Sequence, residues 1–367
     1  MAESLIPTTL TLIEEGCRSG QHSGAQIYMA HQGKTIVDMA VGESHDGIMM
    51  CPDTLFHWLS STKPIAAVAI GQLWEKGLLA MDDLVYHHIP EFGIRGKEEI
   101  SIRHILTHTA GIRGVDVGGF RTPWDETIRR ICAMPVEKNW KIGKKAGYHL
   151  ASSWFILGEL IRRLDGRPFN KYVRDEIFLP LEMFDSWIGM PQKEYDHYHH
   201  RIGRLYDTGK NEPELTDWHT AASCAWVAPG SHGKGPMREL GRFYEMLLNQ
   251  GEWKQRRILS PQSIAALTAR HRTGIFDHTF QHMIDWGLGF IINSNLYGAE
   301  TVPYGYGLHS SNRCFGHSGR QSSTAFADPE HDLVVALAFN GTPGERAHNR
   351  RIRDVLTAIY EDLGLVD

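Results

Sequence analysis

The chain is poor in cysteine, and the five it has form no pattern. Cys17, Cys51, Cys132, Cys224 and Cys314 are odd in number and widely scattered, without a Cys-x-x-Cys pair. A disulfide scaffold is therefore not expected, and reduced thiols in the cytoplasm are. No apolar run approaches the roughly 18 residues that cross a bilayer. The first nine residues carry neither a basic segment nor an apolar one, so no secretory leader is expected either. Neither sign of charge dominates: 38 Lys and Arg stand against 43 Asp and Glu, a net charge of -5. That balance argues against nucleic acid or an anionic membrane as partner. Internal repeats and low-complexity stretches are also missing. Histidine alone is abundant, at 21. Its densest group is Tyr195-Asp196-His197-Tyr198-His199-His200, where surface histidines are expected in preference to a metal site, because ligands must converge and a polar loop rarely makes them do so. No metal and no cofactor is assigned.

What remains is a globular composition, 42% hydrophobic and 22% charged over 367 residues, enough for two or three structural units. Leu10, Ile13 and Cys17 mark an opening helix over residues 5–19. Residues 24–31 and 34–41 are β-rich and flank Gln32-Gly33, as in an antiparallel hairpin. Residues 100–111 read as a short capped helix with a glycine stop. Residues 152–164 form the clearest helix, with Trp154, Leu157, Leu160, Ile161 and Leu164 on one side. Residues 186–235 are weakly periodic and read as loop. Helices follow near Leu240–Leu248 and after Ser260-Pro261, then strand-like runs at 286–292, 323–327 and 333–339. The last is apolar at every position, as in a central strand covered on both faces. Ile352, Val355, Leu356 and Ile359 close the chain with a helix.

Strands at both ends and helices in the middle imply a mixed α/β (α+β) class. One antiparallel sheet is expected from residues 1–85 and 236–367, flanked by the terminal helices and the helix after Ser60. A mostly helical domain, 86–235, is inserted between the two parts, and the seam is the expected place for a pocket.

The chemistry centres on Ser60-Ser61-Thr62-Lys63. The run Ile65, Val68, Ala69 and Leu73, with Pro64 in a first turn and Gly77 as a stop, predicts a helix. Ser60 then stands at its N-terminus, where free N–H groups and the positive dipole end favour developing negative charge. Lys63, three residues on, shares its face. A lysine whose pKa falls on burial is able to take the proton that keeps a serine hydroxyl a weak nucleophile. The alternative is an N-capping serine beside a solvated lysine.

Further segments strengthen the first reading: Tyr148 in Gly147-Tyr148-His149-Leu150, and His317-Ser318-Gly319 opening a strand. With residues 100–111 and the turn Asp328-Pro329-Glu330-His331-Asp332, the chain resembles the serine β-lactamase/penicillin-binding-protein superfamily. The likeness is nearest to the class C-like branch of family VIII carboxylesterases, D-aminopeptidases and acyltransferases. That resemblance implies a β-lactamase/transpeptidase-like fold with the site between its two parts. It implies Ser60 as the acyl-accepting nucleophile and Lys63, held near neutral by burial, as its proton partner. Tyr148 would share the base role and protonate the leaving group, its phenol made more acidic by a cationic lysine. His317, Ser318 and Gly319 would line the pocket edge, with Gly319 admitting substrate close to the strand. The amides of Ser60 and Arg320 would form the oxyanion hole.

Two departures bear on substrate. The family's second motif is usually Tyr-x-Asn, and here Leu150 follows; counted from Gly158, Tyr148 also stands about one residue further out than the pattern. The third motif is commonly Lys-Thr-Gly. Both weaken a β-lactamase reading. The Arg320 side chain either pairs with a substrate carboxylate or is solvated at a strand edge, and Cys314 reads as packing. The expected activity is a serine hydrolase working through an acyl-Ser60 intermediate, a carboxylesterase on small acyl esters. Alternatives are an acyltransferase or amide-forming or -cleaving enzyme of the same fold, and a non-catalytic scaffold or sensor. The expected partner is a small acyl substrate, with oligomeric state left open.

Overall fold

A computed structural model describes residues 4–366. Helix α1 (Pro7–Arg18) leads into strands β1 (Gly24–His31), β2 (Lys34–His45) and the short β3 (Ile48–Met49). A three-ten turn, Leu59–Thr62, precedes helix α2 (Lys63–Glu75). The middle of the chain contributes the short helix Ile102–Leu106 and helix α3 (Ser152–Asp165). Then follow helix α4 (Met237–Leu248), strands β4 (Ile291–Ile292), β5 (Phe315–Ser318), β6 (Ser323–Asp328) and β7 (Leu333–Phe339), and the closing helix α5 (Glu345–Asp362). The seven strands make one antiparallel sheet in the order β4-β5-β6-β7-β1-β2-β3, so the two ends of the chain meet where β7 pairs with β1, Ala25 opposite Phe339.

The sheet's period-two alternation sorts its side chains by size. Ile27, Met29, Phe326, Val335, Leu337 and Phe339 pack with Ile352, Val355, Leu356 and Ile359 of α5. The opposite face offers mainly Ala325, Ala327, Ala336 and Ala338, and against this shallow surface lies α4 with Leu240, Phe243, Tyr244 and Leu247. The second face is thus covered by α4. Helix α2, expected there, meets the sheet chiefly at β5 and packs more extensively on α3 and Pro261–Thr268. Being buried all round from Lys63 to Leu73, it is a core helix and carries no one-sided stripe to aim at a sheet.

Two other expectations change. Of residues 286–292 only Ile291 and Ile292 are strand, paired with Phe315 and Gly316. Gly289 has φ +87°, and a Cβ there would lie 2.5 Å from that of Ala67, so this apolar run is a bend pressed onto α2. Residues 186–235 are not simply loop. They hold the helices Gln192–Tyr198 and Ala221–Ala225 and several two- and three-residue strands. Gln192–Tyr198 has no buried residue and so leaves no periodic apolar signal to read. The strand Gly233–Gly235 pairs with both Phe56–His57 and Trp187–Ile188, and Gly341–Thr342 pairs with Tyr206–Asp207, which stitches the middle of the chain to both ends. Among the described residues no helix is long and apolar enough to cross a membrane.

The approach of α4 to the sheet depends on Gly241, where a Cβ would lie 2.2 Å from the Tyr28 ring. That ring is held by hydrogen bonds of its hydroxyl with Thr35 (2.9 Å) and Glu245 (2.7 Å). Alanine gains about 1 kcal/mol of helix propensity, but overpacking costs about 1–3 kcal/mol and displacing the ring loses about 1 kcal/mol per hydrogen bond. Gly241→Ala is therefore expected to lower stability by about 2–4 kcal/mol, read as a lower urea midpoint at unchanged slope; a rise in midpoint would show that Tyr28 gives way freely.

Candidate active site

The turn bearing Ser60 is bent in a way its own sequence does not favour. Leu59, a non-glycine residue, has φ +50°, a conformation that costs about 1–3 kcal/mol and persists only where the surroundings enforce it. They do so here. The Trp58 amide donates to Gly233 O (2.9 Å) and its indole to Gly235 O (3.1 Å). The Thr62 hydroxyl donates to Leu59 O (2.6 Å) and accepts from the Gly233 amide (3.0 Å). The Ser61 hydroxyl donates to His317 O (3.0 Å). Gly319 belongs to the same clamp. A Cβ on it would lie 2.5 Å from Trp58 O and 2.8 Å from the Leu59 Cβ, so the turn itself requires a bare residue there.

Lys63 is fully buried. Its Nζ lies 3.0 Å from Ser60 Oγ, 3.0 Å from Leu150 O and 2.8 Å from Gly230 O. No carboxylate is among these partners, and desolvation alone pushes its pKa well below 10.5. Nζ also stands 5.0 Å from the ring centroid of Tyr148 and 5.4 Å from that of Trp154. Tyr148 lines the same cavity as Ser60, so the extra residue before α3 leaves its side chain facing the serine's cavity. Its phenol is not made more acidic, contrary to expectation: burial first, and then the Asp277 carboxylate, raise its pKa, with only the Ser60 hydrogen bond opposing. Lys63 is itself disfavoured as a cation by burial.

The anchor of Tyr148 left no trace in the sequence. Asp277, fully buried, accepts from the amides of Tyr148 (3.1 Å), Thr279 (2.9 Å) and Phe280 (3.0 Å) and pairs with buried Arg272 at 3.1 Å. Burial lowers the Arg272 pKa to about 10 in spite of that pairing. His149 and His108, also unforeseen, lie beneath the tyrosine. The His149 amide donates to His108 Nδ1 at 2.9 Å, and the Ile112 amide to His149 Nε2 at 3.2 Å.

On the opposite wall, β5 ends in Ser318, and the chain continues through Gly319 to Arg320. The Gly319 amide donates to Ser323 O (2.7 Å), whereas the amides of Ser60 and Arg320 have no acceptor among the described residues. The third motif divides: Ser318 and Arg320 line the cavity, but the His317 ring is buried beneath Tyr148 and Trp286. Two lobes open from Ser60, both bordered by Leu150 and Arg320. One, of about 490 Å³, has Tyr148, Phe280, Ile291 and Tyr304 in its wall. The other, about 620 Å³, has Phe120, Trp218, Trp226 and His232. The Arg320 guanidinium is exposed and has no ion pair among the described residues.

The remaining sequence candidates lie elsewhere. His197, His199 and His200 sit on the polar helix and turn after Pro191, and among the described residues no group of three or more His, Cys, Asp or Glu is placed to hold a metal. Cys314 is fully buried, and burial raises its thiol pKa well above the usual range.

The chain is similar to known proteins over most of its length. Esterase EstB of Burkholderia gladioli is 26% identical over 327 residues, spanning 79% of this chain and 80% of the esterase. Among solved structures, a penicillin-binding-protein homologue from Caulobacter crescentus superposes with a TM-score of 0.80 at 28% identity, covering 98% of both chains. A family VIII carboxylesterase gives 0.80 at 25% identity, again over 98% of each chain. The model of the Beta-lactamase family matches residues 11–358, and the chain belongs to that family.

Proposed function

We propose that the chain is a serine hydrolase that forms an acyl-Ser60 intermediate, with carboxylester substrates. The observation that carries this reading is the meeting of Ser60, Lys63 and Tyr148 beside two unpaired amides, where two largely apolar lobes join. A neutral Lys63 amine has two N–H groups, which suit the carbonyls of Leu150 and Gly230. Its lone pair then faces Ser60 and accepts the Oγ proton as Oγ attacks the ester carbonyl. The amides of Ser60 and Arg320 stabilise the oxyanion, at roughly 3 kcal/mol per donor. Tyr148, kept protonated by burial, donates to the departing alkoxide and is recharged from Lys63. Leu150 stands where the family's amide-holding asparagine is usual, which favours esters over β-lactams. The similarity to an esterase and a family VIII carboxylesterase supports the same choice. The five free cysteines fit a reducing cytoplasm.

Exposure to p-nitrophenyl acetate or a fluorophosphonate is expected to leave one adduct on Ser60, read by intact mass spectrometry. Ser60→Ala should abolish it and lower ester turnover by roughly 10⁴-fold or more. An unlabelled wild type would favour a scaffold or a selective transferase, and product formed on added amines or alcohols in preference to acid would identify the transferase.

The lowered pKa of Lys63 has a determined sign in both activity and stability. The rate constant kcat/KM should rise with pH as Lys63 loses its proton, well below 10.5. Between that lowered pKa and 10.5 the unfolded chain binds more protons at this site, so the folded state gains stability as pH rises. Urea unfolding across that window should show wild type gaining on Lys63→Met. Parallel curves would mean that Lys63 stays charged.

Arg320, free at the mouth of both lobes, is proposed to hold a substrate carboxylate. For esters bearing one, Arg320→Ala should raise KM by about tenfold, one charge-assisted contact, with KM for neutral esters unchanged. Equal behaviour toward both classes would remove the assignment.

A further inference from the structure

Two histidines that meet Tyr148 from beneath have their tautomers set by backbone partners. The His149 amide donates to Nδ1 of His108, so that nitrogen carries the lone pair and the proton sits on Nε2. Nδ1 of His317 lies 2.9 Å from the carbonyl oxygen of Ser318, which only accepts, so there the proton is on Nδ1 and the lone pair on Nε2. Burial holds both rings neutral, as these assignments require. The outcome is complementary. Among the described residues, His108 presents a buried N–H without an acceptor, and His317 a buried lone pair without a donor.

The two groups share their surroundings. The His108 ring centroid lies 4.8 Å from that of Tyr148 and 4.4 Å from that of Trp286; for His317 the distances are 5.9 and 5.6 Å. The Trp286 indole N–H, on the ring packed against both histidines, is likewise buried without a partner among the described residues. Buried polar groups are rarely left unsatisfied, and three around one pair of aromatic rings need a common explanation. Two donors and one acceptor match the roughly three hydrogen bonds of a typical buried water. His108 also holds φ +58° in a non-glycine residue, a conformation that needs outside support.

We propose that an ordered water beneath Tyr148 accepts from His108 Nε2–H and Trp286 Nε1–H and donates to His317 Nε2. It links the turn that carries Tyr148 to the strand that leads to the Arg320 amide. His108 and His317 are then positioning residues, which keep the tyrosine hydroxyl and the oxyanion strand in register. The catalytic consequence rests on the function proposed above; the water site does not.

A high-resolution crystal structure of the full chain is expected to show a water within about 3 Å of both Nε2 atoms. No density there, or direct contact between the two rings, overturns the proposal. Two variants test its consequence in solution. His108→Asn keeps an acceptor for the His149 amide and tolerates positive φ, so it removes only the donor to the water. His317→Leu removes the acceptor. Each is expected to lower kcat for p-nitrophenyl acetate by about tenfold, the equivalent of one net hydrogen bond, with KM changed less than about twofold. The double variant should be no slower than the slower single, because the water is already lost. Multiplicative losses, or KM effects as large as those on kcat, overturn the shared water. Acylation of wild-type Ser60 separates the two claims. If it fails while the water is seen, the functional reading falls alone; if it succeeds without the water, this proposal falls alone.

Discussion

Much of this structure follows from one buried amine. An ammonium group moved from water into a site with no counter-charge costs several kcal/mol, and among the described residues Lys63 has no carboxylate partner to offset it. Instead Nζ meets one hydroxyl and two backbone carbonyls, from Ser60, Leu150 and Gly230. These belong to three segments far apart in the sequence, so the amine is satisfied only when the fold is complete. Each segment has its own anchor. The Ser60 turn is pinned to Gly233 and Gly235, which follow Gly230 closely, and the segment with Tyr148 and Leu150 is pinned to Asp277. The Asp277–Arg272 pair therefore acts at a distance: it sets a backbone, and the backbone sets the lysine's acceptor.

The strained turn at Leu59 follows the same logic. Side-chain and main-chain bonds from Trp58, Ser61 and Thr62 hold a conformation that the local sequence would not choose. Gly319 completes the clamp because any side chain there would strike the turn. A rigid nucleophile on an enforced bend is what a site needs when the distance from Oγ to its base must hold within a few tenths of an ångström.

How legible all this was depends on the range of each signal. The hairpin of β1 and β2, the fully apolar β7, helix α3 and the closing helix were readable because period and burial coincide within one segment. Ser60 and Lys63 were readable because their spacing is local and a family motif surrounds them. Residues 286–292 misled because composition reports burial and not conformation, and Gly289 bends that run against α2. Helix Gln192–Tyr198 left no trace because it buries nothing. Asp277, Arg272 and His108 were invisible for the opposite reason. Their roles lie in contacts made across many intervening residues, which no spacing announces. The acidity expected of Tyr148 failed on one physical point: the burial that disfavours the lysine cation disfavours the phenolate as well, and the Asp277 carboxylate adds to it.

That last point bears on how such a site favours a transition state over a bound substrate. At rest the interior around Ser60 is nearly free of net charge, with a lysine that disfavours its cation, histidines held neutral, and Arg272 matched by Asp277. In the proposed reaction, attack on an ester creates a cation at Lys63 and an oxyanion at the carbonyl oxygen together. In a site of low dielectric these new charges attract strongly, and the amides of Ser60 and Arg320, without protein acceptors, are available to the oxyanion as it forms. A ground-state ester has no such charge and gains far less from the same groups, so the arrangement discriminates between the two states in the direction that raises kcat. A permanently charged lysine would attract carbonyl dipoles and substrate anions in the ground state as well. The burial that makes Lys63 costly to fold is thus the same property that reserves its charge for the reaction.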